Sequence, residues 1–145
     1  MINCFDGKYA FLSNFYISPC DLEGILYPTV EHAFQAAKTL DRNERLKIAA
    51  AETPGKAKRM GRSVTLRPDW EEIKIDVMRQ CLHSKFKDPD LVFALLDTGD
   101  EELIEGNTWH DNCWGNCTCE QCVNKPGENR LGKLLMEIRE ELRQA

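Results

Sequence analysis

The sequence has no long apolar run: every hydrophobic stretch falls far short of the roughly 20 residues that a helix needs to cross a bilayer. It has no internal repeat, no low-complexity tract and no linker-like shift in composition, which predicts one domain over residues 1–145. A second C-x-x-C pair is missing, so the common structural zinc site made of two well-separated pairs is not written in the chain. Nor is there an excess of positive charge. A net charge of −5 argues against a broad basic surface that binds nucleic acid without selectivity. The opening "MINCFDGKYAFL" lacks a basic segment followed by an apolar core, so no secretion signal is read there, and a cytoplasmic location with no membrane partner is expected.

What is present describes an ordinary globular chain, with 42% hydrophobic and 30% charged residues and enough length to bury a core. Residues 53–68, "TPGKAKRMGRSVTLRP", carry Lys56, Lys58, Arg59, Arg62 and Arg67 with no acid among them. The first reading of that run is a solvated helix face, and phosphate recognition is the second. Cysteine is abundant: seven residues, an odd number, so at least one is outside any intramolecular disulfide.

Strand signals come early. "FLSNFY" reads as β-rich, and in "ISPCDLEGILYP" Pro19, Asp21 and Gly24 punctuate two short strand-like runs. Helices follow. Thr29 is placed to cap "VEHAFQAAKTL", Asp41 a helix over "ERLKIAAA", and Thr53-Pro54 a short helix that Gly61 ends. Asp69 and Glu72 have capping-box spacing before a long helix reaching about Phe86. Pro89 to Leu96 predicts another, stopped near Gly99, and Leu131, Leu134, Leu135, Ile138 and Leu142 mark the inner face of a last helix. Gly132 within that helix costs about 1 kcal/mol against alanine and so predicts a close backbone approach. The fold class is α+β, mainly α-helical, with short N-terminal strands.

Four segments, "FLSNFY", "YPTVEHAFQAAK", "RPDWEEIKIDVMRQCLHSKF" and "WHDNCWGN…GENRLGKLLMEIR", together resemble the NADAR, or YbiA-like, family, in order and over nearly the whole chain. The resemblance implies a YbiA-like fold and N-glycosidase chemistry on ADP-ribose-like or phosphoribosyl substrates. Some members resemble enzymes that cleave early riboflavin-pathway intermediates. Others resemble enzymes that remove ADP-ribose from guanine in nucleic acid.

Cleaving a ribosyl C–N bond builds positive charge at the anomeric carbon and negative charge on the leaving base. Such a site wants a carboxylate near the sugar, a donor or acid at the base, an aromatic surface, and cations or helix N-termini for phosphate. Glu31, in the first turn of its helix, is the first candidate. The helix pattern alone reads it as an exposed acid complementing the macrodipole, and the resemblance reverses that balance. Lys38, seven residues on, would stand about 10 Å along the same face to meet a phosphate, with a solvated lysine as the plainer reading. Gln35 between them would bond a ribose hydroxyl, and His32 reads as structural. Trp70 would cover a base, Asn14 would fix the nucleotide by its amide, and Phe15 would stack or only pack.

In the loop "NTWHDNCWGNCTCEQC", the resemblance matches Asp111, the second catalytic carboxylate, with Trp114 and Gly115, and Trp109 less closely. Glu105 upstream is a further acidic candidate, and Asn129 with Arg130 would offer phosphate contacts at the start of the last helix. The same loop holds Cys113, Cys117, Cys119 and Cys122. Free or redox-active thiols are the first reading, zinc held by those four the second, and a disulfide the third. His110 or a distant Cys4, Cys20, Cys81, His32 or His83 is another source for a fourth ligand.

Together these readings predict an N-glycosidase needing no cofactor, since water is the nucleophile, acting on a nucleotide-like small molecule or on ADP-ribosylated nucleic acid. Its rivals are a non-catalytic module binding ADP-ribose or an NAD derivative, and a zinc-stabilised nucleic-acid-binding protein. Oligomeric state is left open.

Overall fold

The computed structural model describes residues 1–145. They form two compact units, residues 14–87, and residues 1–13 with 88–145.

In the unit of residues 14–87, strands β1 (Cys20–Leu22) and β2 (Ile25–Tyr27) pair antiparallel, with Cys20 opposite Tyr27. Glu23 and Gly24 both take positive φ, 51° and 84°, as a two-residue hairpin turn that follows strand twist requires. Four helices follow: α1 (Val30–Ala36), α2 (Arg42–Ala49), α3 (Pro54–Met60) and α4 (Trp70–Lys85). The first three start where the short polar side chains predict. Thr29 accepts from the His32 N–H, Asp41 from those of Asn43 and Glu44, and Thr53 from that of Lys56. Every residue of α1 is buried. Its small Ala33 and Ala36, both with 0% exposure, let α2, α3 and α4 close around it.

Two local expectations fail here. The capping box does not form, because Arg67 holds the Asp69 carboxylate with bonds of 2.7 and 3.1 Å, and Asp69 makes no cap bond. Helix α1 ends four residues before Leu40, in tight turns from Lys38 N–H to the Gln35 carbonyl and from Thr39 N–H to that of Ala36.

The other unit holds a 3-10 helix (Gly7–Leu12), α5 (Pro89–Asp97), two-residue strands β3 (Gly106–Asn107) and β4 (Asn116–Cys117), and α6 (Arg130–Gln144). "FLSNFY" is therefore not strand. Its Phe11-Leu12 lies in the 3-10 turn, and a short apolar pair without a pairing partner carries no period to separate the two. Strands β3 and β4 pair in parallel, with Asn107 opposite Cys117. Leu131, Leu134, Leu135 and Ile138 of α6 are buried, and α6 packs on α5. A Cβ on Gly132 would collide with the Leu103 carbonyl and the Asn129 amide, which is why glycine stands mid-helix. Helices dominate both units, as composition and periodicity predict. None is long and apolar enough to cross a membrane.

Candidate active site

Glu31 is 7% exposed, which removes the reading of a surface acid at a helix start. Its N–H donates to the Asn14 carbonyl at 3.1 Å, satisfying one donor that the first helical turn leaves open. Gln35, one turn on, donates from Nε2 to Glu31 Oε1 at 3.3 Å. That bond fixes the amide orientation, because only the NH2 end can serve a carboxylate. Gln35 Oε1 is thus a buried acceptor with no hydrogen-bond partner, lying against Gly61, where a Cβ would strike it. Asn14 Oδ1 is a second such acceptor, its Nδ2 resting 3.7 Å from Met78 Sδ. Two buried amide oxygens lacking donors beside a fixed carboxylate suit the hydroxyls of a sugar.

Lys38 is half-buried, just past the end of α1. Burial pushes its ammonium below the usual lysine range; Glu31 pulls it back up, and Arg62 and Lys58 push it down again. One anion and three cations therefore share this corner, and the cations repel one another. Lys58 and Arg62 belong to the basic run read first as a solvated face. What the sequence does not reveal is that α3, which carries Lys58 and ends two residues before Arg62, packs on α1, so that both charges act on Lys38.

Trp70 is 5% exposed and tilts against Phe34, ring centroids 5.0 Å apart, so most of its indole is committed to the interior. Phe15, by contrast, is 43% exposed. His32 is structural: Nε2 donates to the Ala51 carbonyl at 3.0 Å, which leaves Nδ1 to accept from Thr29 Oγ1 at 2.8 Å. Lys85 is a buried residue outside the candidates read from the sequence. It is 1% exposed, with Nζ over the Tyr16 and Phe86 rings. Its charge acts on Cys20 while that of Glu31 acts on Cys81, and the Cys20 thiol donates to the Cys81 carbonyl at 3.5 Å. A buried ammonium and a buried carboxylate thus flank the same pair of sulfurs. The register of this lysine is the signal that marks it: Lys85 follows Cys81 by four residues and Leu82 by three, on the apolar stripe of α4.

The loop residues lie in the other unit. Asp111 Oδ1 accepts from the Cys113 N–H at 3.1 Å and the Trp114 N–H at 2.9 Å, and its backbone bonds both ends of the Asn107 amide. One carboxylate oxygen therefore braces its own loop. Gly115 is required because a Cβ would meet the Glu105 carbonyl and the Asn107 amide. Asn129, left-handed at φ 48°, spends its amide on the Glu105 N–H at 3.0 Å and the Leu103 carbonyl at 2.8 Å. Arg130 pairs with Glu128. Trp114 is half-buried, and Trp109 is 60% exposed.

Four potential metal-ligating atoms converge in that loop, from His110, Cys117, Cys119 and Cys122, all within 4.8 Å of one another. Cys113, one of the four cysteines read from the sequence as a zinc set, is not among them; His110, the other nearby source of a fourth ligand, stands in its place. Burial pushes the Cys117 thiol up, but hydrogen bonds from Cys119, His110 and Cys122 outweigh it and bring Cys117 down to about 7. Burial and then the bonds with Cys117 and Cys119 push Cys122 up to about 11. One sulfur readily gives up its proton while its neighbour Cys122 keeps its own.

Comparison with known proteins gives this geometry its setting. The NADAR domain model matches residues 4–143. N-glycosidase YbiA of Shigella flexneri is 43% identical over 137 residues, covering 92% of this chain and 82% of that protein. An N-glycosidase of Nostoc punctiforme is 40% identical over 141 residues, covering 93% and 86%. A riboflavin biosynthesis protein of Vibrio vulnificus is 36% identical over 142 residues, which are 96% of this chain but 37% of that longer one. The NMR structure of Escherichia coli YbiA superposes with a TM-score of 0.81 at 38% identity, covering 99% of this chain and 88% of that one. The chain belongs to the NADAR family and is an N-glycosyl hydrolase.

Proposed function

We propose that the enzyme hydrolyses the ribosyl C–N bond of a small phosphoribosyl compound, with Glu31 as the carboxylate that stabilises the oxocarbenium-like transition state. The observation that carries this reading is the corner where the buried Glu31 meets Gln35 and three mutually repelling cations, Lys38, Lys58 and Arg62. A phosphate there relieves the repulsion among the cations, while Glu31 sits one helical turn from Gln35, whose free Oε1 takes a ribose hydroxyl. Water adds its hydroxyl to the anomeric carbon, and its proton goes to the departing nitrogen. No cofactor enters this scheme. The Vibrio vulnificus relative and a maize chloroplast relative are both named riboflavin biosynthesis proteins, which supports a phosphoribosyl intermediate of that kind as substrate.

One observation favours a second substrate. Lys56 and Arg59 on α3 are exposed, beside the cations of the cluster, and a nucleic-acid backbone carrying ADP-ribosyl-guanine would meet them. A side-by-side product assay by mass spectrometry separates the two. Release of a base and a ribose 5-phosphate from early riboflavin intermediates supports the first reading. Release of ADP-ribose from the modified oligonucleotide alone supports the second. Binding of either without turnover refutes both and leaves a non-catalytic binding module, which relatives named as N-glycosidases do not favour.

A further inference from the structure

We propose that His110, Cys117, Cys119 and Cys122 form a structural zinc site that clamps the loop carrying Asp111 and Trp114. The distances support it. His110 Nδ1 lies 3.3 Å from Cys122 Sγ, 3.3 Å from Cys119 Sγ and 3.9 Å from Cys117 Sγ. With Zn–S of about 2.3 Å and Zn–N of about 2.05 Å, a regular tetrahedron places nitrogen about 3.5 Å from each sulfur and the sulfurs about 3.8 Å apart. The observed nitrogen–sulfur spacings straddle that value, and all four donors fit within the 4.8 Å span.

Neither apolar packing nor a disulfide accounts for the cluster as well. Hydrophobic packing would bury the thiols and leave the imidazole aside, yet the His110 residue is exposed and its Nδ1 is turned in towards all three sulfurs. A disulfide uses two of the three sulfurs and gives the imidazole no role, and all three are free thiols here. Three soft sulfurs and one imidazole are the donor set that selects zinc over the oxygen-seeking cations. Four protein ligands close the coordination sphere, so the ion holds structure and does not activate water.

The surroundings are those of a clamp. The His110 N–H donates to Cys117 Sγ at 3.3 Å, and the Cys117 N–H is held by Asn112 Oδ1 at 2.8 Å. Between the first ligand and the second lie residues 111–116, whose carbonyls receive the start of α6: Asn129 N–H on Gly115, Arg130 N–H on Cys113 and Leu131 N–H on Trp114. Fixing His110 to the three cysteines fixes both ends of that platform. Binding forms three Zn–S bonds and one Zn–N bond, and every thiol still protonated releases its proton to solvent. The metal with three thiolates then carries a net charge of −1, by counting formal charges.

The test uses the full chain, purified under reducing conditions and then reconstituted with zinc or cobalt(II). We expect about one zinc per chain by plasma mass spectrometry, and for cobalt the visible d–d bands of a tetrahedral thiolate site with sulfur-to-metal charge transfer. Cys119→Ser and His110→Ala should each lower zinc affinity at least about tenfold, while Cys113→Ser should leave both stoichiometry and spectrum unchanged. Chelation should raise amide exchange at residues 110–117 and 129–131 and leave α1 as it was. Failure of the reduced wild-type chain to take up either metal overturns the proposal, as does an octahedral cobalt spectrum. Loss of binding in Cys113→Ser would overturn the ligand set. The wild-type spectrum needs no variant, so a misfolded mutant cannot obscure the answer.

Discussion

Replacing Glu31 by glutamine keeps the size of the side chain and an acceptor for Gln35 Nε2, and removes only the charge. At 7% exposure the carboxylate is shielded from most solvent screening. A cationic anomeric carbon about 4 Å away, at an effective dielectric constant of about 20, gains about 4 kcal/mol from it. That is about a thousandfold in kcat, while KM should move by only a few-fold because the ground-state sugar is neutral. Glu31 is also the one charge that raises the Lys38 pKa, against burial, Arg62 and Lys58. In Glu31→Gln the ammonium therefore loses its proton at a lower pH, and the alkaline limb of substrate binding should shift downwards. Steady-state kinetics across pH on the substrate identified by the product assay, with thermal unfolding as control, reads both effects. A variant that folds normally and keeps more than about a tenth of wild-type kcat would refute Glu31 as the transition-state carboxylate. An unmoved alkaline limb would refute its coupling to Lys38.

Further substitutions probe the cationic corner and the fold around it. Arg62→Gln removes one repelling cation, so the Lys38 pKa should rise; amine acylation of Lys38 at alkaline pH should slow, and KM for the phosphorylated substrate should increase several-fold. His32→Leu strips the Ala51 carbonyl of its donor in a fully buried place and should cost about 1–3 kcal/mol in urea unfolding. Gly132→Ala gains about 1 kcal/mol of helix propensity. It loses more, about 1–3 kcal/mol, to the collision with the Leu103 carbonyl, which cannot rotate away, so the melting temperature should fall; a rise would refute the close approach.

Helix starts were legible because they are local. Thr29, Asp41 and Thr53 each bond a backbone N–H two or three residues onward, and no distant partner is needed to predict it. The Asp69 box failed for a reason equally local, since Arg67 two residues earlier offers a charged competitor for the same oxygens. The last helix declared its inner face through its leucines, and its glycine through the cost of keeping one there. The cysteine loop was legible as a donor-rich segment. Which four donors meet was not, because His110 and Cys113 are both within reach by spacing.

The chain by itself determined the family, the helical elements and the candidacy of Glu31, all of which depend on residues close in sequence or on a pattern running along the whole chain. Tertiary structure decided the rest. It buried Glu31 and Gln35, turned Lys58 and Arg62 from a surface run into neighbours of Lys38, sank Lys85 beneath aromatic rings, and chose His110 over Cys113. The physical reason is that burial and electrostatic neighbourhood belong to packing between elements. A periodicity of 3.6 residues says which face turns inward; only the helix packed against it says what that face meets there.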